Sequence, residues 1–127
     1  MTEDIHDFEI TAICAVSRDS FAITVKNPQD MSLYEMRFER VMQLHVEGFS
    51  LQNVVSDVGL YRSPAEGFGF KRACSMLGMD KALECGTDEG QCLLLMEASS
   101  GAEIACLFEG DAIPQLIPVT SDCRKTK

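Results

Sequence analysis

Tyr34-Glu35-Met36-Arg37-Phe38-Glu39-Arg40-Val41-Met42-Gln43-Leu44-His45-Val46-Glu47-Gly48 is the stretch that decides the fold class of this chain. Tyr34, Met36 and Phe38 alternate with Glu35, Arg37 and Glu39, and Met42, Leu44 and Val46 alternate with Gln43, His45 and Glu47. A period of two puts successive side chains on opposite faces of a strand. Each run therefore reads as one apolar face turned in and one polar face turned out, the habit of an antiparallel sheet. The two runs share one inward parity, which leaves Arg40 at an inward position between them. A bulge or bend at Arg40 removes that conflict. Gly48 ends the second run.

Upstream, Phe8, Ile10, Ala12, Cys14 and Val16 fall on one parity, while Ile13 and Ala15 make the other face partly apolar. Arg18-Asp19-Ser20 breaks this run before Phe21, Ile23 and Val25, so the pair reads as a hairpin. Asn27-Pro28-Gln29-Asp30 supplies the next turn, because proline fixes φ and Asn or Asp side chains bond their own backbone. Downstream, Leu51 to Tyr61 is β-branched and apolar enough for another strand or an irregular extended segment. Ser63-Pro64-Ala65-Glu66 then combines an N-cap serine, a proline at the first helical position and a glutamate three residues after the cap. Gly67 and Gly69 each cost roughly 1 kcal/mol against alanine inside a helix, so a single turn restarting near Phe70 is expected. Phe70, Cys74 and Leu77 would form its buried stripe, with Gly86 as a stop. Gln91 to Glu97 and Ala102 to Phe108 flank Ser99-Ser100-Gly101 as a second hairpin, and the segment with Pro114 and Pro118 reads as extended.

The expected fold is α+β: a mainly antiparallel β-sheet of about 6–8 strands with one or two short helices between residues 63 and 84. One domain spans residues 1–127, and 122–127 is a frayed tail. Shared parity assigns Phe8, Ile10, Cys14, Phe21, Ile23, Val25, Met36, Phe38, Leu44, Val46, Leu94, Ile104 and Phe108 to the core.

Composition narrows function by exclusion. With 46% hydrophobic and 24% charged residues the chain has the makeup of a folding domain rather than a disordered one. No apolar run approaches the roughly 20 residues of a bilayer span, and Met1-Thr2-Glu3-Asp4 is acidic where a secretory leader is positive. A cytoplasmic location and no membrane partner are expected. Eleven basic against twenty acidic side chains give a net charge of −9, a field that repels polyphosphate and disfavours nucleic acid. The same field would attract a basic protein, although acidic charge also serves simple solubility.

The six cysteines, Cys14, Cys74, Cys85, Cys92, Cys106 and Cys123, read as reduced thiols, since Cys14, Cys92 and Cys106 lie within apolar strand patterns. Only two histidines are present, His6 and His45, and no Cys-x-x-Cys pair occurs, so neither metal nor cofactor is expected. A nucleophilic arrangement of Cys14 or Cys85 with His45 and Asp57 has no local support, and no catalytic residue is assigned. Gly67-Phe68-Gly69-Phe70-Lys71 superficially matches an RNA-recognition strand, but Glu66 stands where that motif has a basic residue and a helix start precedes it. Gln52 and Asn53 read as amides that satisfy backbone groups where a strand bends, with a ligand or partner contact as the alternative.

His6-Asp7-Phe8-Glu9-Ile10, the run Met36-Arg37-Phe38-Glu39-Arg40-Val41-Met42-Gln43-Leu44-His45-Val46-Glu47-Gly48-Phe49, and Gln52-Asn53-Val54-Val55 together resemble a family of small bacterial immunity proteins. That family, associated with polymorphic toxins, is marked by a His-Asp-x-Glu start, a Phe-x-x-Val-x-x-Leu strand and a Gln-Asn-Val element. The likeness covers about the first 60 residues, with a looser echo at Ser99-Ser100-Gly101. It implies a non-catalytic protein that binds and blocks a cognate toxin. His6, Asp7, Glu9, Gln52 and Asn53 are then motif residues without an assigned role. The partner surface expected from strand parity is the polar face of Glu35, Arg37, Glu39, Gln43, His45 and Glu47. A small-ligand or structural module, or an enzyme of another type, are the alternatives.

Overall fold

Eight strands form one antiparallel sheet in the computed structural model, which describes residues 5–61, 68–78, 90–110 and 114–119. In chain order the elements are β1 (Glu9–Ser17), β2 (Ser20–Lys26), β3 (Leu33–Phe38), β4 (Val41–Glu47), β5 (Val54–Tyr61), α1 (Phe68–Met76), β6 (Gln91–Ser100), β7 (Glu103–Glu109) and β8 (Ile117–Pro118). Their order across the sheet is β4-β7-β6-β5-β1-β2-β3-β8. The mainly antiparallel architecture and a helix within 63–84 are as expected. The capping residues 63–66 and the tail 122–127 lie outside the described residues, and Gly86 is not the stop of this helix, which ends at Met76 ahead of Gly78 with its φ of 72°. No helix among the described residues is long and apolar enough to cross a membrane.

The sheet curls on itself. Phe38 of β3 meets Phe108 of β7 edge-on, with ring centroids 6.1 Å apart, although four strands separate β3 from β7 in the sheet order. Phe38 also stacks on Phe21 of β2 at 4.7 Å. Ile10, Ile23, Val25, Met36, Val55, Leu94, Met96, Ile104 and Cys106 close the inner core around these rings. Arg40 adopts a left-handed φ of 55° and is exposed, so the chain turns there and the inward position the pattern assigned to it vanishes. Val41 then donates its N–H to the Asp19 carbonyl at 2.8 Å, fixing the start of β4 against the β1–β2 turn.

A second apolar cluster lies on the opposite side of the sheet. Phe70, Ala73, Cys74 and Met76 of α1 pack on Leu93 and Leu95 of β6 and Ala105 and Leu107 of β7. Both faces of β6 and β7 are thus covered, which explains why Cys92 to Met96 and Ile104 to Phe108 read as unbroken apolar runs. Tyr61 folds over Gly59 of its own strand and against Gly69 of the helix. A Cβ at either glycine would meet the end of the tyrosine ring, so Tyr61 holds this position against α1 because residue 69 lacks a side chain.

Two core assignments need correction. Cys14 is exposed, because a register shift between Ile10 and Ala12 reverses the faces of β1. Ile10 is opposite Val25, but beyond the shift Ile13 is opposite Ile23 and Cys14 opposite Ala22, so Cys14 turns away from the core. Leu44 keeps the inward parity, being opposite the buried Cys106, yet is 40% exposed. It lies on β4, a terminal strand with a neighbour on one side only. Phe8 and Val46 are partly buried against the core, and the other nine assigned residues are buried within it.

Candidate functional site: an acidic row on the outer face

Strand register builds the most distinctive polar feature of the molecule. Glu47 of β4 is directly opposite Glu103 of β7, and Asp57 of β5 is directly opposite Glu97 of β6. Met96 opposite Ile104 aligns β6 with β7 so that Glu97 falls beside Glu103. Four carboxylates from four neighbouring strands therefore form one row, Glu47, Glu103, Glu97 and Asp57, across the outer face. The next row is His45, Ala105, Leu95 and Gly59, and the one after it is Gln43, Leu107, Leu93 and Tyr61. α1 covers the apolar centres of those two rows, and the acidic row emerges beyond the helix.

Strands lie about 4.8 Å apart, and like charges directly opposite each other destabilise a sheet. Each such pair repels by roughly 1 kcal/mol in water-like surroundings. One member is neutralised: Arg72 of α1 bonds Glu103 Oε1 at 2.7 Å, with both side chains partly buried. His45 Nε2 stands 3.3 Å from Glu47 Oε1, and Asp57 Oδ1 accepts the N–H of Val58 at 3.0 Å. Among the described residues no group of three or more His, Cys, Asp or Glu is placed to hold a metal ion.

The six residues expected on a common polar surface separate into two sets. Glu35, Arg37 and Glu39 belong to β3 or its end, with Glu35 opposite Thr24 and Arg37 opposite Ala22 of β2. Gln43, His45 and Glu47 face outward on β4, at the other side of the sheet order. β3 and β4 follow each other in the chain but are not hydrogen-bonded neighbours, so their polar faces do not join in the sheet. The acidic surface continues instead from Glu47 onto β7, β6 and β5. Asp57, Glu97 and Glu103 were missed as a group because their alignment depends on a pairing order that alternation along one strand does not encode.

The motif residues are held in place by local contacts. Asp7 takes a φ of 70° and donates its N–H to the Val55 carbonyl at 2.8 Å, with His6 Nδ1 at 3.3 Å from its carboxylate. Glu9 pairs with Lys26 at 3.6 Å. Asn53 is 1% exposed and satisfies every side-chain hydrogen-bonding group. Its Oδ1 accepts the N–H of Ser50 at 2.8 Å and of Ala102 at 2.9 Å, and its Nδ2 donates to the carbonyls of Ser50 at 2.7 Å and Ile10 at 3.3 Å. The backbone-satisfying role expected of this amide is what it performs. Gln52 is exposed, and its carbonyl accepts the Ser50 hydroxyl at 3.0 Å.

Cys14, His45 and Asp57 stand on β1, β4 and β5, with two strands between β4 and β5 and three between β4 and β1. Cys85 lies outside the described residues. Phe70 is buried between α1 and the sheet, so its ring is not offered for stacking on a base. Clefts of about 210, 240, 280 and 290 Å³ lie among the described residues. Searches against protein-family models, curated proteins and solved structures found no match for the chain.

Proposed function

We propose that this chain is a non-catalytic bacterial binding protein of the immunity type, which neutralises a cognate toxin in the cytoplasm by protein–protein contact. The observation that supports this reading best is the in-register row of Glu47, Glu103, Glu97 and Asp57. Like charges facing each other across the strands, only Glu103 of which is neutralised by an arginine, raise the energy of the uncomplexed sheet, and a basic partner relieves that repulsion as it docks. A net charge of −9 extends the field beyond contact range and speeds encounter with a cation-rich surface. The resemblance of the first half of the chain to immunity proteins points to the same class of partner.

The test is protection of growth. The chain is co-expressed with the product of the adjacent gene, which on this reading is toxic alone and harmless together with it. An Asp57→Lys, Glu47→Lys variant of unchanged melting behaviour should fail to protect. A neighbouring product that is neither toxic nor captured by the wild-type chain would remove the proposal.

A further inference from the structure

We infer that the β4–β5 loop, residues 48–53, is a preformed apolar contact element that seats Phe49 and Leu51 in a pocket of a protein partner rimmed by lysine or arginine. The inference rests on the reading of the chain as a protein-binding module and names the part that contributes apolar contact. Leu51 is 104% exposed and Phe49 51% exposed. Large apolar side chains held in water are the usual material of interface anchors when their backbone is fixed.

Here the backbone is fixed. Asn53 bonds the N–H and the carbonyl of Ser50 inside the loop, and ties the loop to Ala102 in the β6–β7 turn and to Ile10 in β1. The Ser50 hydroxyl bonds the Gln52 carbonyl at 3.0 Å. Gly48, with φ of 81°, passes so close to the Gly101 carbonyl oxygen that a Cβ would stand 3.1 Å from it. The tip is thus presented in one geometry, and a partner that binds it does not have to order the loop. Beside the tip, Phe49 and Leu51 line a cleft of about 290 Å³ with Glu9, Ile10 and Lys26, which gives the partner a rim to close over.

Charge selects the occupant. Glu47 precedes the loop by one residue and is opposite Glu103, with Glu97 next in the row. One flank of the apolar tip is therefore acidic, matching a pocket with a cationic edge. The same carboxylates oppose an anionic lipid surface and disfavour a second copy meeting this face with its own.

The experiment measures binding of the purified adjacent-gene product to the wild-type chain, to Phe49→Ala with Leu51→Ala, and to Leu51→Asp alone. The single variant changes only a fully exposed side chain and so keeps the test valid if the double variant folds poorly. Each folded variant should lose roughly 30-fold or more in affinity, with the salt dependence of binding retained. Wild-type affinity in both would overturn the inference while leaving the acidic-face reading intact. Failure of the wild-type chain to bind would overturn both. Loss on substitution of binding to phosphatidylcholine–phosphatidylglycerol vesicles would make the loop a lipid contact, and loss of a wild-type dimer would make its occupant a second copy. Either result also overturns the inference.

Discussion

The side-chain oxygen of Asn53 accepts the backbone N–H of Ala102 at 2.9 Å, joining two turns that lie 49 residues apart in the chain. The same oxygen caps Ser50, so one buried amide closes the β4–β5 loop and locks it to the β6–β7 hairpin. Removing it leaves the N–H groups of Ser50 and Ala102 without their acceptor. Asn53→Ala should cost about 2–4 kcal/mol in a urea titration, and Asn53→Asp should also destabilise because it deletes both donors. A loss under about 0.5 kcal/mol for alanine would show that water replaces the amide and that the loop is not pinned as described.

Phe38 is 1% exposed between the stacked ring of Phe21 and the edge of Phe108. Phe38→Ala should cost roughly 3–5 kcal/mol, the range for a buried phenylalanine whose cavity does not collapse. A loss below about 1 kcal/mol by equilibrium denaturation would contradict the curled sheet, which depends on this ring to join its two halves.

Gly69 offers a test with an inverted sign. Alanine in a helix is ordinarily better than glycine by about 1 kcal/mol, yet here its Cβ would strike Tyr61. Gly69→Ala should therefore destabilise the wild-type chain and become neutral or stabilising in a Tyr61→Ala background. A double-mutant cycle reads the coupling directly. Additive effects of the two substitutions would mean that Tyr61 does not lie against α1.

Burial pushes the Cys106 thiol from its ordinary value of 9.0 up to about 12. The unfolded chain ionises this thiol near its ordinary value while the folded chain keeps it protonated. Its contribution is thus complete below about pH 9 and is lost as pH rises from 9 towards 12, by up to about 1.4 kcal/mol per unit. The stability gap between wild type and Cys106→Ala should narrow between pH 8 and 10.5. A constant gap would contradict the buried thiol. In native protein an alkylating reagent should modify the exposed Cys14 and spare Cys106 until unfolding.

Strand patterning in the sequence reported which residues face the core more reliably than which are covered. Met36 and Phe38 are buried as their alternation implies, and Leu44 does face inward, but its exposure depends on β4 being a terminal strand, a property of the whole sheet. Cys14 was misread for a local reason. The shift after Ile10 inserts one residue into the ladder, and Ile13, apolar on the supposed outer face, was the trace it left. The candidate site was legible only in pieces. Glu47 and His45 were visible as outward residues, but bringing Glu47 into line with Glu103, Glu97 and Asp57 requires β7 to lie between β4 and β6, which no spacing in the chain announces.

The acidic row makes stability and binding respond in opposite directions to the same substitution, which is the most direct test of the account. Asp57→Lys replaces a like-charged cross-strand pair with an opposite one at the facing Glu97, whereas Glu47→Lys faces Glu103, whose carboxylate already bonds Arg72. Asp57→Lys should hold or raise stability by up to about 1 kcal/mol, and Glu47→Lys should leave it unchanged. The measurement is the affinity of the purified adjacent-gene product for the doubly substituted chain, taken at low and high salt beside its melting temperature. A binding face of this kind predicts an equal or higher melting temperature, at least tenfold weaker binding and a reduced salt dependence. Unchanged affinity and salt dependence in a folded double variant would contradict it.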